Sequence, residues 1–406
     1  MDSMSFMKSA ARSVTIGSTP REVESLSPHA IVAAIPWYAW CLAAAATADN
    51  FGGYWDISWH ISIGRDSFWT LPHLMIYVAG ILAGISCGYA ILVTTFGASR
   101  ELKEQSVSIW GIRAPLGCFV ATWGAFAMLA SAPFDNWWHN AYGLDVKIIS
   151  LPHSILALGE AMISFGAMLL VCAQVNRASG GYQQKLDRLL LYIGGVEIFG
   201  AALFALESTP IEFMHSSSFY RAMGSTFPIV LLALSRVSRS RWPATAMAGI
   251  YTAAFLAFLW IFPFFPAEPK LGPVYQHITR MVPLWFPTLL IVPAFALDLL
   301  RDHFGERWGS WPSAIVAGCL YLAAFIVVQW PFADFLMSHL ARNRVFGTIF
   351  FAYFDSANIL YNPYKFVDLD KTQAAFYGGM VIALITAIIF CSIGMALGNW
   401  MRKVQR

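Results

Sequence analysis

Two stretches of this chain gather the residue types that hold transition metals. The first reads D-I-S-W-H-I-S-I-G-R-D-S-F-W-T-L-P-H from Asp56 to His73. The second reads D-N-W-W-H-N-A-Y-G-L-D-V-K-I-I-S-L-P-H from Asp135 to His153. Both fit one frame, D-x-x-W-H-x3-G-x-D-x3/4-[ST]-L-P-H, and the two copies hold four of the nine histidines. An Asp and a His four residues apart share one face of a helix. Gly64 and Gly143 supply a turn that other residues strain to make. Thr70 and Ser150 are N-cap residues, and Pro72 and Pro152 suit the first turn of the helix that follows. His73 and His153 therefore open the next helices. Each hairpin is expected to bring one carboxylate and two imidazoles together: Asp56, His60 and His73, then Asp135, His139 and His153. Two imidazoles and a carboxylate suit divalent iron, copper or zinc, and open coordination positions suit oxygen chemistry. Asp66 and Asp145 are spare carboxylates, candidates to orient a ligating histidine. Glu160 lies two turns beyond His153 on the same helix face, where it can extend the second site or line a proton path. The competing reading is a hydrogen-bonded Asp–His cap on each hairpin. Recurrence of the whole triplet favours metal.

The elements that must position these residues follow from composition. The 406 residues are 58% hydrophobic and 12% charged, with a mean hydropathy of +0.58. A soluble domain is about a quarter charged, so soluble globular, disordered and nucleic-acid-binding classes are excluded. The net charge of +3 calls for no polyanionic partner, and the six cysteines form no C-x-x-C pair. A spanning helix needs about 20 apolar residues. Ten stretches qualify: 29–48, 73–96, 115–133, 153–175, 188–206, 219–235, 244–265, 281–300, 312–333 and 376–398. The sixth is the weakest, since Arg221 and Ser225 interrupt it. The expected fold is all-α, a polytopic transmembrane helical bundle of about 10 spans with duplicated outward-facing helical hairpins. Residues 1–28 read as a polar cytoplasmic tail, 29–180 as a four-span metal-binding repeat region, and 181–406 as a six-span membrane region of unassigned role. Seventeen of the 26 Lys and Arg fall on the side of the termini. The positive-inside rule then puts both termini in the cytoplasm. The metal sites face outward, toward the periplasm if the membrane is a bacterial inner membrane. Lipid is the implied partner.

The pattern D-x3-H-x12-H formed by Asp56, His60 and His73, set in R-D-S-F-W-T-L-P-H, resembles the copper membrane monooxygenases, the particulate methane and ammonia monooxygenases. The likeness is to the membrane component of those enzymes that bears two metal-ligand sets. Its other set, N-x3-H-x13-H, is similar in spacing to Asp135, His139 and His153. The resemblance implies copper at both triplets and oxidation of a small apolar substrate. It also implies further monooxygenase subunits as partners, one with a periplasmic cupredoxin-like part. It spans about residues 30–180. Asp135 stands where the family has Asn, which makes the second site more anionic. Two other readings accompany this one: a non-enzymatic copper-handling or assembly protein, and a transporter built on metal-binding duplicated hairpins.

Weaker features lie outside the repeats. E-S-T-P-I-E-F-M-H, from Glu207 to His215, reads as a polar loop more readily than as a third, decayed copy. Glu197 falls in mid-span, where a charged side chain faces the bundle interior.

Overall fold

The computed structural model describes residues 35–64, 68–97, 99–142, 150–270, 278–353 and 364–406. The 1–28 tail, Asp66, Gly143 and Asp145 lie outside them. The regular secondary structure of the described residues is helical apart from one short ribbon and an isolated bridge between Pro266 and Arg280. Its helices are α1 (Trp37–Ser62), α2 (Leu71–Phe96), α3 (Arg100–Glu104), α4 (Leu116–Tyr142), α5 (Leu151–Arg177), α6 (Gly180–Phe204), α7 (Ser217–Thr226), α8 (Pro228–Val237), α9 (Pro243–Ile261), α10 (Ile291–Phe304), α11 (Trp311–Met337) and α12 (Gln373–Met401). The ribbon pairs β1 (Val107–Ile109) with β2 (Ile112–Ala114) in antiparallel register. Its two-residue turn places Trp110 and Gly111 at positive φ, the geometry that matches strand twist in a tight hairpin.

Among the described residues, six helical segments are long and apolar enough to cross a membrane: α2, α4, α5, Pro243–Phe264, α11 and α12. Several expose Ile and Leu on their outer faces, among them Ile81, Ile85 and Leu92 on α2 and Ile382, Ile385 and Ile389 on α12. Such faces suit lipid contact, and the chain is membrane-embedded on this pattern.

Other expected spans have a different form. Helix α1 begins at Trp37 and runs to Ser62, well past residue 48. Helix α6 is continuous, but Lys185, Asp187, Arg188 and Glu197 make it more polar than those six. The 219–235 stretch is two ten-residue helices meeting at Phe227 and Pro228, because Pro228 has no N–H to bond back to the preceding turn and its ring crowds that turn's carbonyl. The 281–300 stretch becomes helical only at Ile291, after Pro283 and Pro287. Its extended first half is buried at Val282 and Leu284, so its backbone needs partners. Side chains supply them. The Ser58 hydroxyl donates to the Val282 carbonyl at 2.6 Å, and the Val282 amide donates to Ser62 Oγ at 2.8 Å. The Leu284 amide donates to the Tyr54 hydroxyl, that of Thr288 to the Tyr251 hydroxyl, and that of Leu289 to Gln329 Oε1.

Helices α1 and α2 pair, α4 and α5 pair, α2 packs on α4, and α6 packs on α1, α5 and α9. The α4–α5 crossing is backbone on backbone. A Cβ on Gly124 would stand 2.6 Å from the Gly159 carbonyl, and one on Gly159 would stand 2.7 Å from the Met128 amide nitrogen. Close approach through small residues drives helix association where lipid supplies no hydrophobic force.

Candidate metal centre

Each histidine–carboxylate triplet sits where one helix ends and the next begins. Asp56 and His60 occupy the last two turns of α1, and His73 is the third residue of α2. Asp135 and His139 lie near the end of α4, and His153 is the third residue of α5. The i,i+4 spacing puts each Asp–His pair on one face, and the hairpin brings the second imidazole to it. Pro72 and Pro152 lie in the first turns as expected. Ser150 caps α5, accepting from the His153 amide at 3.3 Å. Thr70 holds the N-cap position of α2 without a side-chain cap bond.

In the first cluster, His60 Nε2 is 3.4 Å from Asp56 Oδ2 and His73 Nε2 is 3.1 Å from Asp56 Oδ1. The two rings are 6.4 Å apart at centroids and tilted by 50°. In the second, His139 Nε2 is 3.0 Å and His153 Nε2 3.7 Å from Asp135 Oδ1. Those rings are 6.3 Å apart and tilted by 54°. In both clusters the candidate ligand atoms lie within 4.8 Å of one another. Metal bonds of about 2.0–2.2 Å set ligand atoms up to about 4.4 Å apart, so small side-chain rotations suffice to enclose an ion.

The histidine tautomers sharpen this. His73 Nδ1 is 3.2 Å from the Phe68 carbonyl oxygen, which can only accept. Nδ1 therefore carries the hydrogen, and Nε2 of the neutral ring turns a lone pair toward Asp56. Asp56 Oδ1 and Asp135 Oδ1 are both buried and, among the described residues, neither accepts a hydrogen bond of sound geometry despite the nearby imidazoles. His153 Nδ1 sits 3.0 Å from Ser150 Oγ, so the cap residue also holds the ring. A lone pair facing a carboxylate oxygen requires positive charge between them, a metal ion or a proton on the ring. Holding Nδ1–H by an outer partner is how metal-ligating histidines are oriented. The residues present fit a divalent or monovalent transition metal. Asp56 lies beyond the apolar run of α1. Burial pushes its carboxyl upward, but the adjacent imidazoles of His60 and His73 outweigh that and hold it below the usual carboxylate range.

The clusters are neighbours. His73 and Tyr77 on α2 are within electrostatic reach of Asp135 as well as of Asp56. The Tyr77 hydroxyl donates to the Phe68 carbonyl that also receives His73. Glu160 lies two turns along α5 from His153, within reach of Asp56 and Glu197. Asp49, which the sequence pattern did not single out, is 3% exposed and lies seven residues before Asp56. That spacing is the signal that could have found it.

Among the described residues, His215 makes no third cluster. Its ring is stacked between Trp330 at 4.0 Å and Phe366 at 3.7 Å, with Nε2 3.5 Å from Asp334 Oδ1. Beside it lies a cavity of about 520 Å³ bounded in part by Trp330, Phe366, Asp368 and Tyr377.

Fold and site together define a membrane-embedded helical chain with two His–His–carboxylate clusters. Compared with protein families, curated proteins and solved structures, the chain matches none.

Proposed function

We propose that this chain is a copper-dependent, oxygen-activating membrane monooxygenase, or a component of one, acting on a small apolar substrate. The observation that carries the reading is the pair of clusters in which imidazole Nε2 atoms converge on one carboxylate while an outer partner holds Nδ1 of one ring in each, His73 and His153. Asp56, His60 and His73 would hold one ion, and Asp135, His139 and His153 another. Their near-equal ring separations and tilts support a duplicated hairpin, and their spacing supports the resemblance to the copper membrane monooxygenases. Affinity at such sites rises from iron to copper. Bound copper would supply one-electron chemistry with oxygen.

The protein's own part is binding, orientation and exclusion of water. The carboxylates balance the ion's charge, Phe68 and Ser150 fix the His73 and His153 rings, and the apolar helices admit a hydrocarbon-like substrate. In this reading the clusters face outward, opposite cytoplasmic termini, and further subunits or copies complete the enzyme. The test is oxidation of a small alkane or ammonia by the copper-loaded protein in lipid, with a reductant and oxygen. Copper-dependent product formation that His60→Ala abolishes supports the reading. Stoichiometric copper without turnover, with or without partner subunits, assigns the chain to copper handling.

A further inference from the structure

Three acidic side chains lie together inside the bundle, away from both clusters' ligands. Asp49 is on α1, Glu160 on α5 and Glu197 on α6, and these three helices pack on one another. Asp49 is 3% exposed, and among the described residues its buried Oδ1 has no hydrogen-bond partner. Glu160 and Glu197 both lie within electrostatic reach of it. Glu197 is hydrogen-bonded to Ser164 of α5. Among the described residues, the charged groups acting on Glu160 are Asp56 and Glu197. No cationic side chain among the described residues acts on any of the three. The nearby polar groups of α1 and α6 are engaged elsewhere: Thr47 Oγ1 pairs with the Tyr192 hydroxyl at 2.8 Å, and Asn50 Nδ2 donates to the Ala46 carbonyl.

Three ionised carboxylates with no counter-ion are strongly disfavoured at low dielectric. Something positive must be shared among them. Among the described residues, their oxygens do not converge as the ligands of the two histidine clusters do, so a metal ion is the poorer fit. Protons need no such convergence. A group of interacting carboxyls titrates as a unit and passes protons between its members, and ionisable residues within membrane segments commonly serve as relays.

We propose that Asp49, Glu160 and Glu197 form a proton relay inside the bundle, with Glu160 as its gate toward the Asp56 cluster. In each hop an O–H bond breaks on one carboxyl and an O–H bond forms on its neighbour's carboxylate, directly or through water. The negative charge moves one step the other way. Two helical turns, about 10.5 Å, separate Asp49 from Asp56 along α1, and Glu160 reaches both. What the relay serves rests on the proposed metal reading; the proton-carrying group itself does not.

The test uses the full chain in lipid vesicles with metal removed by chelator, followed by infrared difference spectroscopy during a switch from H2O to D2O. The relay predicts protonated-carboxyl absorption at neutral pH, reduced in Asp49→Asn and in Glu197→Gln. Glu160→Gln should leave the absorption of the other two in place and slow its deuterium shift by about tenfold or more. Glu160→Asp, which keeps an acid at the gate, should restore fast exchange. Absence of protonated carboxyls in the wild type would overturn the proposal, as would an unchanged exchange rate in Glu160→Gln. Displacement of the protonated bands by sodium or calcium ions would show a cation site and overturn it as well. Metal content of Glu160→Gln, measured in parallel, should equal that of the wild type. The relay can therefore fail while the metal reading stands, and the reverse.

Discussion

Replacing Gly159 by Ala should cripple the second cluster and spare the first. The new Cβ would lie 2.7 Å from the Met128 amide nitrogen and 2.8 Å from the Gly124 carbonyl oxygen. Both neighbours are backbone, so no side chain can turn aside. To regain the 3.4 Å of ordinary contact, α4 and α5 must part by about 0.7 Å at the crossing. Overpacking of this kind costs about 1–3 kcal/mol. His153 lies six residues from Gly159, about 9 Å along the same rigid helix, so it moves with the crossing. Metal sites hold their distances to about ±0.2 Å. A displacement several times larger should lower affinity at Asp135, His139 and His153 by about 10–100-fold, the range seen when a ligand's supporting partner is lost. The first cluster is carried by α1 and α2 and should keep its affinity. The assay is titration of the chelated protein with copper against a competing chelator, with circular dichroism to confirm retained helix. Equal loss at both clusters with the helices intact would refute the reasoning, as would no loss at either.

Other substitutions separate support from ligation. Ser150→Ala removes both the cap of α5 and the partner of His153 Nδ1. It should lower stability by about 1 kcal/mol and second-site copper affinity by about 10–100-fold, read by melting and competition titration. Asp135→Asn recreates the ligand set of the resembling family and should keep the second site occupied, whereas Asp135→Ala should empty it, by elemental analysis. Tyr54→Phe strands the buried Leu284 amide, which should cost about 1–3 kcal/mol in thermal melting while copper content stays unchanged.

The clusters were legible because their logic is local. An Asp–His pair at i,i+4 closes on one face, and S-L-P-H or T-L-P-H opens the next helix with a histidine in its first turn. The six apolar spans were legible for the same reason, since length and hydropathy suffice. The extended segment before α10 was not. Val282, Leu284 and Thr288 are apolar or neutral enough to read as a span, but Pro283 and Pro287 bar a helix. What stabilises the alternative is non-local: hydroxyls of Ser58, Ser62, Tyr54 and Tyr251, far away in sequence, satisfy the backbone. Asp49 was hidden by a similar cause. By hydropathy, A-T-A-D-N marks the end of a span at residue 48, yet the helix continues to Ser62. Only then do Asp49 and Asp56 fall on one face, with Glu160 and Glu197 brought in by other helices.

The central claim is that both clusters bind copper. The most direct measurement is elemental analysis with electron paramagnetic resonance on protein purified after copper-replete growth, beside His60→Ala/His73→Ala and His139→Ala/His153→Ala. The account predicts about two coppers per chain, with nitrogen-ligated Cu(II) signals, and loss of one copper in each double variant while the helices stay folded. Stoichiometric zinc or iron without copper would contradict the copper assignment, and absence of any metal would leave the triplets as Asp–His caps.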